Sequence, residues 1–255
     1  FLNTPPSTSP CASPSLAPPP GSLLGLTARW ARRRAGLLQG ASGGRASDAR
    51  RTRGAVGVQA AGRAPGPARD MCRSASKHNG PHLVDAEPIE FWNSFRVGRR
   101  GTATPLRGLD DIAPLSVSGR QNGYGYLGVE VCRFVGLWPD QAIIIADLWK
   151  GKTAANRAVT RFLIPSDWHL EKGNNGSFGF NDCFVNLELA VGKAGPAAAA
   201  EWWPNFGVSK AAHEFSVAGE KLDAGSLYGL VIIFHWGECP HVDGHGLLRR
   251  LKNLS

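Results

Sequence analysis

The first seventy residues hold ten arginines, no lysine, no glutamate and only two acids, Asp48 and Asp70. They carry +8 (ten Arg less two Asp) of the chain's total of +9, which leaves +1 for residues 71–255. A segment so charged and so poor in bulky apolar side chains cannot bury enough surface to offset chain entropy. Any core must come from the rest of the 255 residues. Residues 1–75 therefore read as a disordered arm, rich first in Pro and Ser and then in Arg, Ala and Gly, and 76–255 as one globular domain.

The arm has the composition of an organelle transit segment, mitochondrial or plastid: Arg-rich, acid-poor and hydroxyl-bearing. A short amphipathic helix around Arg32, Arg33 and Arg34 fits that reading. A nucleic-acid-associated arm has the same composition, and residues 29–69 would attract polyanions without reading them. The sole methionine, Met71, stands where composition changes, so upstream sequence translated in frame also fits. Five widely spaced cysteines (11, 72, 132, 183 and 239) exclude a disulfide framework and a CxxC zinc pair. No apolar run reaches the roughly 18 residues that a membrane helix needs.

Beyond Met71 the pattern is one of short strands. Residues 83–97 are apolar without a clean period, and 101–125 read as loop because of their Gly and Pro content. Strands are expected over Tyr126–Leu137, Gln141–Trp149, Phe178–Leu189, His213–Ala218 and Leu227–Phe234, with a hairpin across 171–189. Thr153–Leu163 is the best helix candidate, since Ala154, Ala155, Val159, Phe162 and Leu163 approximate one face before Pro165. Residues 174–176 read as a turn, 192–200 as a connection, and Trp202-Trp203-Pro204 as an aromatic patch in core or rim. The expected fold class is α+β, β-rich, with a mixed sheet behind the basic arm.

Two stretches carry candidate chemistry. Ala146-Asp-Leu-Trp-Lys-Gly151-Lys152-Thr153 satisfies a loose P-loop pattern, in which Gly151, Lys152 and Thr153 would hold nucleotide phosphate and magnesium. Asp147 would repel phosphate, and Leu148 and Trp149 are bulky where small residues are needed, so surface lysines between two elements are the plainer reading. Near the C-terminus, His235, Cys239, His241, Asp243 and His245 fall within eleven positions. His235, Cys239, His241 and His245 are ligand types that zinc prefers, provided Gly237 and Pro240 turn the chain; otherwise they are loop side chains.

The same region resembles the zinc-bearing part of the α-class carbonic anhydrases. Residues 217–228 (VAGEKLDAGSLY), Phe234-His-Trp-Gly237 and His241-Val-Asp-Gly244 are similar to that family's V-x-G-G-x-L-x-G-x-Y, F-H-F-H-W-G and S-E-H-T-V-D-G segments. Lys77-His-Asn-Gly-Pro81 and Pro114–Ser118 are similar to earlier pieces in the same order. The chain departs at two of the three zinc-ligand positions: His235 matches one, but Ile233 and Lys252 stand at the others, and Arg250 replaces a supporting glutamate. The resemblance implies a carbonic-anhydrase-like domain with an incomplete zinc site, inactive in CO2 hydration. The alternatives are a basic organelle-targeted or nucleic-acid-associated binding protein without catalysis and, third, a P-loop nucleotide binder.

Overall fold

A computed structural model of the chain describes residues 66–255 except 140, 152–156, 167–168, 172–176, 181–182, 206–207, 222–224 and 226. The expectations for residues 1–65, for Lys152 and Thr153, and for the turn at 174–176 lie outside the described residues. None of the described helices is long and apolar enough to cross a membrane.

The β-rich expectation is borne out. Strand β1 (Gly80–Leu83) pairs with β6 (Arg157–Pro165), which pairs with β12 (Val208–Lys221). On the far edge of β12 lie β10 (Lys193–Ala194) and β11 (Ala198–Asn205). The second sheet has eight strands. In spatial order these are β2 (Ala103–Pro105), β3 (Leu115–Gln121), β4 (Val129–Trp138), β5 (Ala142–Gly151), β13 (Leu227–His235), β9 (Cys183–Val191), β8 (Ser177–Phe180) and β7 (His169–Glu171). Every described pairing is antiparallel, so the sheets are not mixed. The described helices are α1 (Pro67–Arg73) and α2 (Gly244–Leu254), besides two single 3-10 turns.

The two sheets face each other across one core. Alternate residues of β4, β5 and β13 (Val131, Val135, Ile143, Ile145, Leu230, Ile232 and Phe234 among them) meet Phe162, Ile164, Phe215 and Val217 of the smaller sheet. Phe162 and Phe234 touch edge to face, 5.1 Å between centroids, and join the layers. The opposite parity of the large sheet (Ile144, Ala146, Leu148, Val231, Ile233) is also buried, under Leu247, Leu248 and Leu251 of α2 and under Leu109 and Ala113. This double cover explains why the first half of β5, Ala142–Ala146, reads as an unbroken apolar run.

Helix α2 is started by Asp243, whose carboxylate accepts from Gly246 N at 2.8 Å, and it presents Leu247, Leu248 and Leu251 to the sheet. Its close approach requires Gly229: a Cβ there would lie 2.7 Å from Leu248 Cδ1. Arg250 then ties the helix to Asp111 through two hydrogen bonds, of 2.6 and 2.9 Å. Asp243 and Gly244, which matched a metal-strand motif in the sequence, thus cap and open a helix.

Five sequence expectations are corrected. The helix expected over Thr153–Leu163 is strand β6 in its described part, Arg157 onward. Val159 with Phe162 and Leu163 mimics a helical i, i+3, i+4 pattern because a central strand with both faces covered has apolar residues of both parities. The loop expected over 101–125 contains β2 and β3, and the connection at 192–200 contains β10 and the start of β11. Phe178–Leu189 is two strands, β8 and β9, paired as a hairpin. Helix α1 falls in the stretch assigned to the arm; its Cys72 is buried and Arg69 donates to Ser94 O at 2.8 Å.

Candidate binding cleft and the C-terminal ligand cluster

The large sheet extends past edge strand β1, and the uncovered end forms a cleft of about 510 Å³. Its floor is the inward face of β3 and β4, with Val117, Gly119, Gln121, Val131, Arg133 and Val135. Its walls come from Arg73, His78 to Pro81 and the segment Glu87–Phe91.

Charge in this cleft is one-sided. Two arginine side chains face it, Arg73 and Arg133, against one carboxylate, Glu87. Both oxygens of Glu87 are engaged, one by the Ser74 hydroxyl and the other by Ala75 N at 2.9 Å. Arg73 lies over the Phe91 ring, 4.3 Å from its centroid, and donates to Asn93 O at 2.7 Å, so its planar head is oriented. Arg133 is fixed by Asp147 of β5 in a two-point pair of 2.6 and 2.7 Å. Arg120, also at the cleft's border, stands opposite Cys132, so its side chain lies on the outer face of the sheet, 3.3 Å from Thr104 Oγ1 and 3.8 Å from Glu130. Beside the cleft, Trp92 and Phe95 stand out at 66% and 56% exposure, with Arg69 over the Phe95 ring. Exposed aromatics of that size in one short loop are uncommon unless they meet a ligand or partner.

Nothing in the sequence singled out this cleft. Its two arginines come from α1 and β4, at residues 73 and 133, and only the tertiary fold brings Arg73 beside the face of β4 that carries Arg133.

The candidates from the C-terminal stretch separate. His235 ends β13, and Cys239 follows in the loop beyond it. The structure brings these two together and adds Glu188 of β9: one ligand atom from each lies within 4.8 Å of the other two. His241, in the segment before α2, and His245, in its first turn, are exposed and do not belong to the group. Glu188 escaped notice because it lies on another strand; the register Ile233↔Glu188 sets it beside His235 on the outer face. The Cys239 thiol donates to Glu188 Oε2 at 3.2 Å, and its pKa is pushed up to about 11, first by burial and then by that carboxylate. Ile233 shares a face with His235, so the strand carries no paired histidines there.

The described part of the stretch matched to a P-loop, Ala146–Gly151, belongs to strand β5. Residues Ala146 to Gly151 are paired with β4 on one side, and Ala146 to Lys150 with β13 on the other. Their backbone N–H groups serve the ladders and cannot wrap a phosphate. Gly151 ends β5 opposite Val129, and Lys150 Nζ donates to Ser255 at the end of α2.

An antiparallel two-sheet sandwich with a cationic cleft at one end is the class that these observations define. No protein-family model and no curated protein sequence matches the chain. Solved structures do match its fold. Heparan sulfate lyase HepC from Pedobacter heparinus superposes with a TM-score of 0.53 at 10% identity, over 72% of this chain and 29% of that one. A heparinase III gene product with methylated lysines gives 0.50 at 12% identity, over 70% of this chain and 27% of that one. The chain thus spans less than a third of the length of either. Identity this low shows a shared fold and no more.

Proposed function

We propose that this chain is a binding module for an acidic polysaccharide, held in the cleft between β1 and the β3–β4 end of the large sheet. The observation that carries this reading is the pair Arg73 and Arg133 at a cleft whose one carboxylate is already engaged by its own neighbours. Guanidinium groups suit the sulfate and carboxylate groups of such a polymer, because their planar fork offers parallel donors to paired oxygens. Trp92 and Phe95 would supply flat faces for sugar rings, with the Arg69 charge alongside. The two fold neighbours named as acting on heparan sulfate or heparin make that polymer the first to test. The arginines of residues 29–69 would add to the attraction without supplying selectivity.

The test is calorimetric titration of the full chain with heparan sulfate oligosaccharides, at two salt concentrations, beside duplex DNA. Each charge-assisted hydrogen bond contributes about 1.5–3 kcal/mol. Arg73→Ala is expected to weaken binding about tenfold or more, and Trp92→Ala to weaken it further. Unchanged affinity in Arg73→Ala would rule out the cleft, and Arg120→Ala, on the other face, is expected to change little. Equal affinity for DNA would reassign the binding to undirected charge attraction.

A second reading, a carbonic-anhydrase-like domain with an incomplete zinc site, draws support from the proximity of His235 to Cys239. A thiolate donates more charge to a metal than imidazole does and makes its bound water less acidic. A stopped-flow assay with added zinc is therefore expected to show no CO2 hydration above the buffer rate; measurable turnover would show a competent hydroxide that this arrangement does not account for.

A further inference from the structure

We propose that Glu188, His235 and Cys239 form a site for one zinc-class transition-metal ion, on the outer face of the large sheet and independent of the cationic cleft. The donor set is a carboxylate, an imidazole and a thiol, each a zinc ligand type, and together they favour zinc over magnesium or calcium, which take oxygen. Their ligand atoms lie within 4.8 Å of one another. Ligands around a tetrahedral zinc stand roughly 3.3–3.8 Å apart, given bonds of about 2.0–2.3 Å. Small side-chain rotations close that difference.

The supporting structure is rigid. Glu188 and His235 sit on paired strands, so their spacing is set by the ladder Ile233↔Glu188 and His235↔Asn186. The loop that carries Cys239 is held at its start by Trp236 N and Gly237 N, which donate to Gln141 O at 2.9 and 3.3 Å. His235 Nδ1 stands 3.2 Å from Gly237 O. Donation there places the proton on Nδ1 and leaves the Nε2 lone pair for the metal, the same division of labour that backbone carbonyls impose on ligating histidines generally. The Cys239 thiol already points at Glu188 Oε2. On binding, the S–H bond breaks, a metal–sulfur bond forms and the proton leaves to solvent, with no change of oxidation state. The two anionic ligands neutralise the dication. Glu188 is exposed and the other two partly so, which leaves a coordination position for water. The ion would clamp β9, β13 and the loop leading to the Asp243 cap of α2.

The experiment is titration of the full chain with zinc against a chromophoric chelator, and with cobalt(II) as a spectroscopic probe. One equivalent is expected, with a cobalt–thiolate absorption band that Cys239→Ser removes. Glu188→Gln, His235→Gln and Cys239→Ser are each expected to weaken zinc binding by about tenfold or more. The control His241→Gln, His245→Gln is expected to bind as the wild type does. Binding that survives Cys239→Ser, absence of a one-equivalent phase, or loss in the control would overturn the proposal. Should a variant fail to fold, the wild-type chain decides: zinc should slow iodoacetamide modification of Cys239, read by peptide mass spectrometry, by about tenfold or more. Buried Cys72 and Cys132 serve as internal references, and an unchanged rate at Cys239 refutes the site.

Discussion

Replacing Asp147 with alanine is expected to destabilise the fold by about 3–5 kcal/mol. The carboxylate is fully buried and accepts three hydrogen bonds: from Arg133 Nε at 2.6 Å, Arg133 Nη2 at 2.7 Å and Thr160 Oγ1 at 2.6 Å. Arg133 belongs to β4 and Asp147 to β5 of the large sheet, whereas Thr160 belongs to β6 of the small one. One carboxylate therefore ties the two layers where the apolar core gives way to the cleft. Alanine removes the charge that faces a guanidinium of only 14% exposure, and it takes the acceptor from a buried hydroxyl. Whole-domain stabilities are about 5–15 kcal/mol, so a loss of this size is a large fraction of the total. Urea unfolding of Asp147→Ala should show a much lower midpoint, and Asp147→Asn, which keeps the shape, an intermediate one. The paired change Asp147→Leu, Arg133→Met should recover much of the loss, because an apolar pair needs no desolvation of charge. A fall below about 1 kcal/mol for the alanine variant would mean that the buried pair is not the tie described.

Acidification should weaken the protein through His82. His82 is 3% exposed in β1, and its pKa is lowered from 6.5 to about 4, first by burial and then by the Arg161 guanidinium. The unfolded chain takes up a proton as pH falls below 6.5, whereas the folded chain resists until about 4. Protons therefore favour the unfolded state across that window. Stability is full above pH 6.5, falls progressively to about pH 4, and loses nothing further to this group below it. The difference amounts to roughly 3 kcal/mol at 1.36 kcal/mol per pKa unit. Urea melts at a series of pH values should show the slope, and His82→Gln should flatten it between pH 6.5 and 4. An identical slope in the variant would move the acid sensitivity to another group.

The two sites differed in how far the linear chain revealed them. His235 and Cys239 were legible because metal-ligand types crowd the end of an apolar strand, and only three residues separate them. Glu188 was not legible, because its place beside His235 depends on how β9 registers against β13. His241 and His245 looked equivalent to the others in the sequence. They fall away because Asp243 starts a helix there, and the turn that would gather all four ligands gives place to that helix. The cleft was invisible: Arg73 and Arg133 are far apart in the sequence, and only the packing of α1 beside the face of β4 brings them together.

From the chain alone, hydrophobic alternation in β4 and β12 and continuous apolar runs in β5 and β13 determined those strands, at least in their centres, and with them the β-rich class. Period two is a local property, imposed by the pleat, and it survives translation into sequence whenever one parity is apolar. It fails at β6, whose two faces are both covered, and at β2, whose three residues are all exposed. Tertiary structure alone decided which strands neighbour one another. It set Asp147 against Thr160 across the layers, and it laid α2 over Gly229. Those outcomes depend on the pairing of residues far apart in the chain, for which the free energy lies in shared burial and not in any local preference.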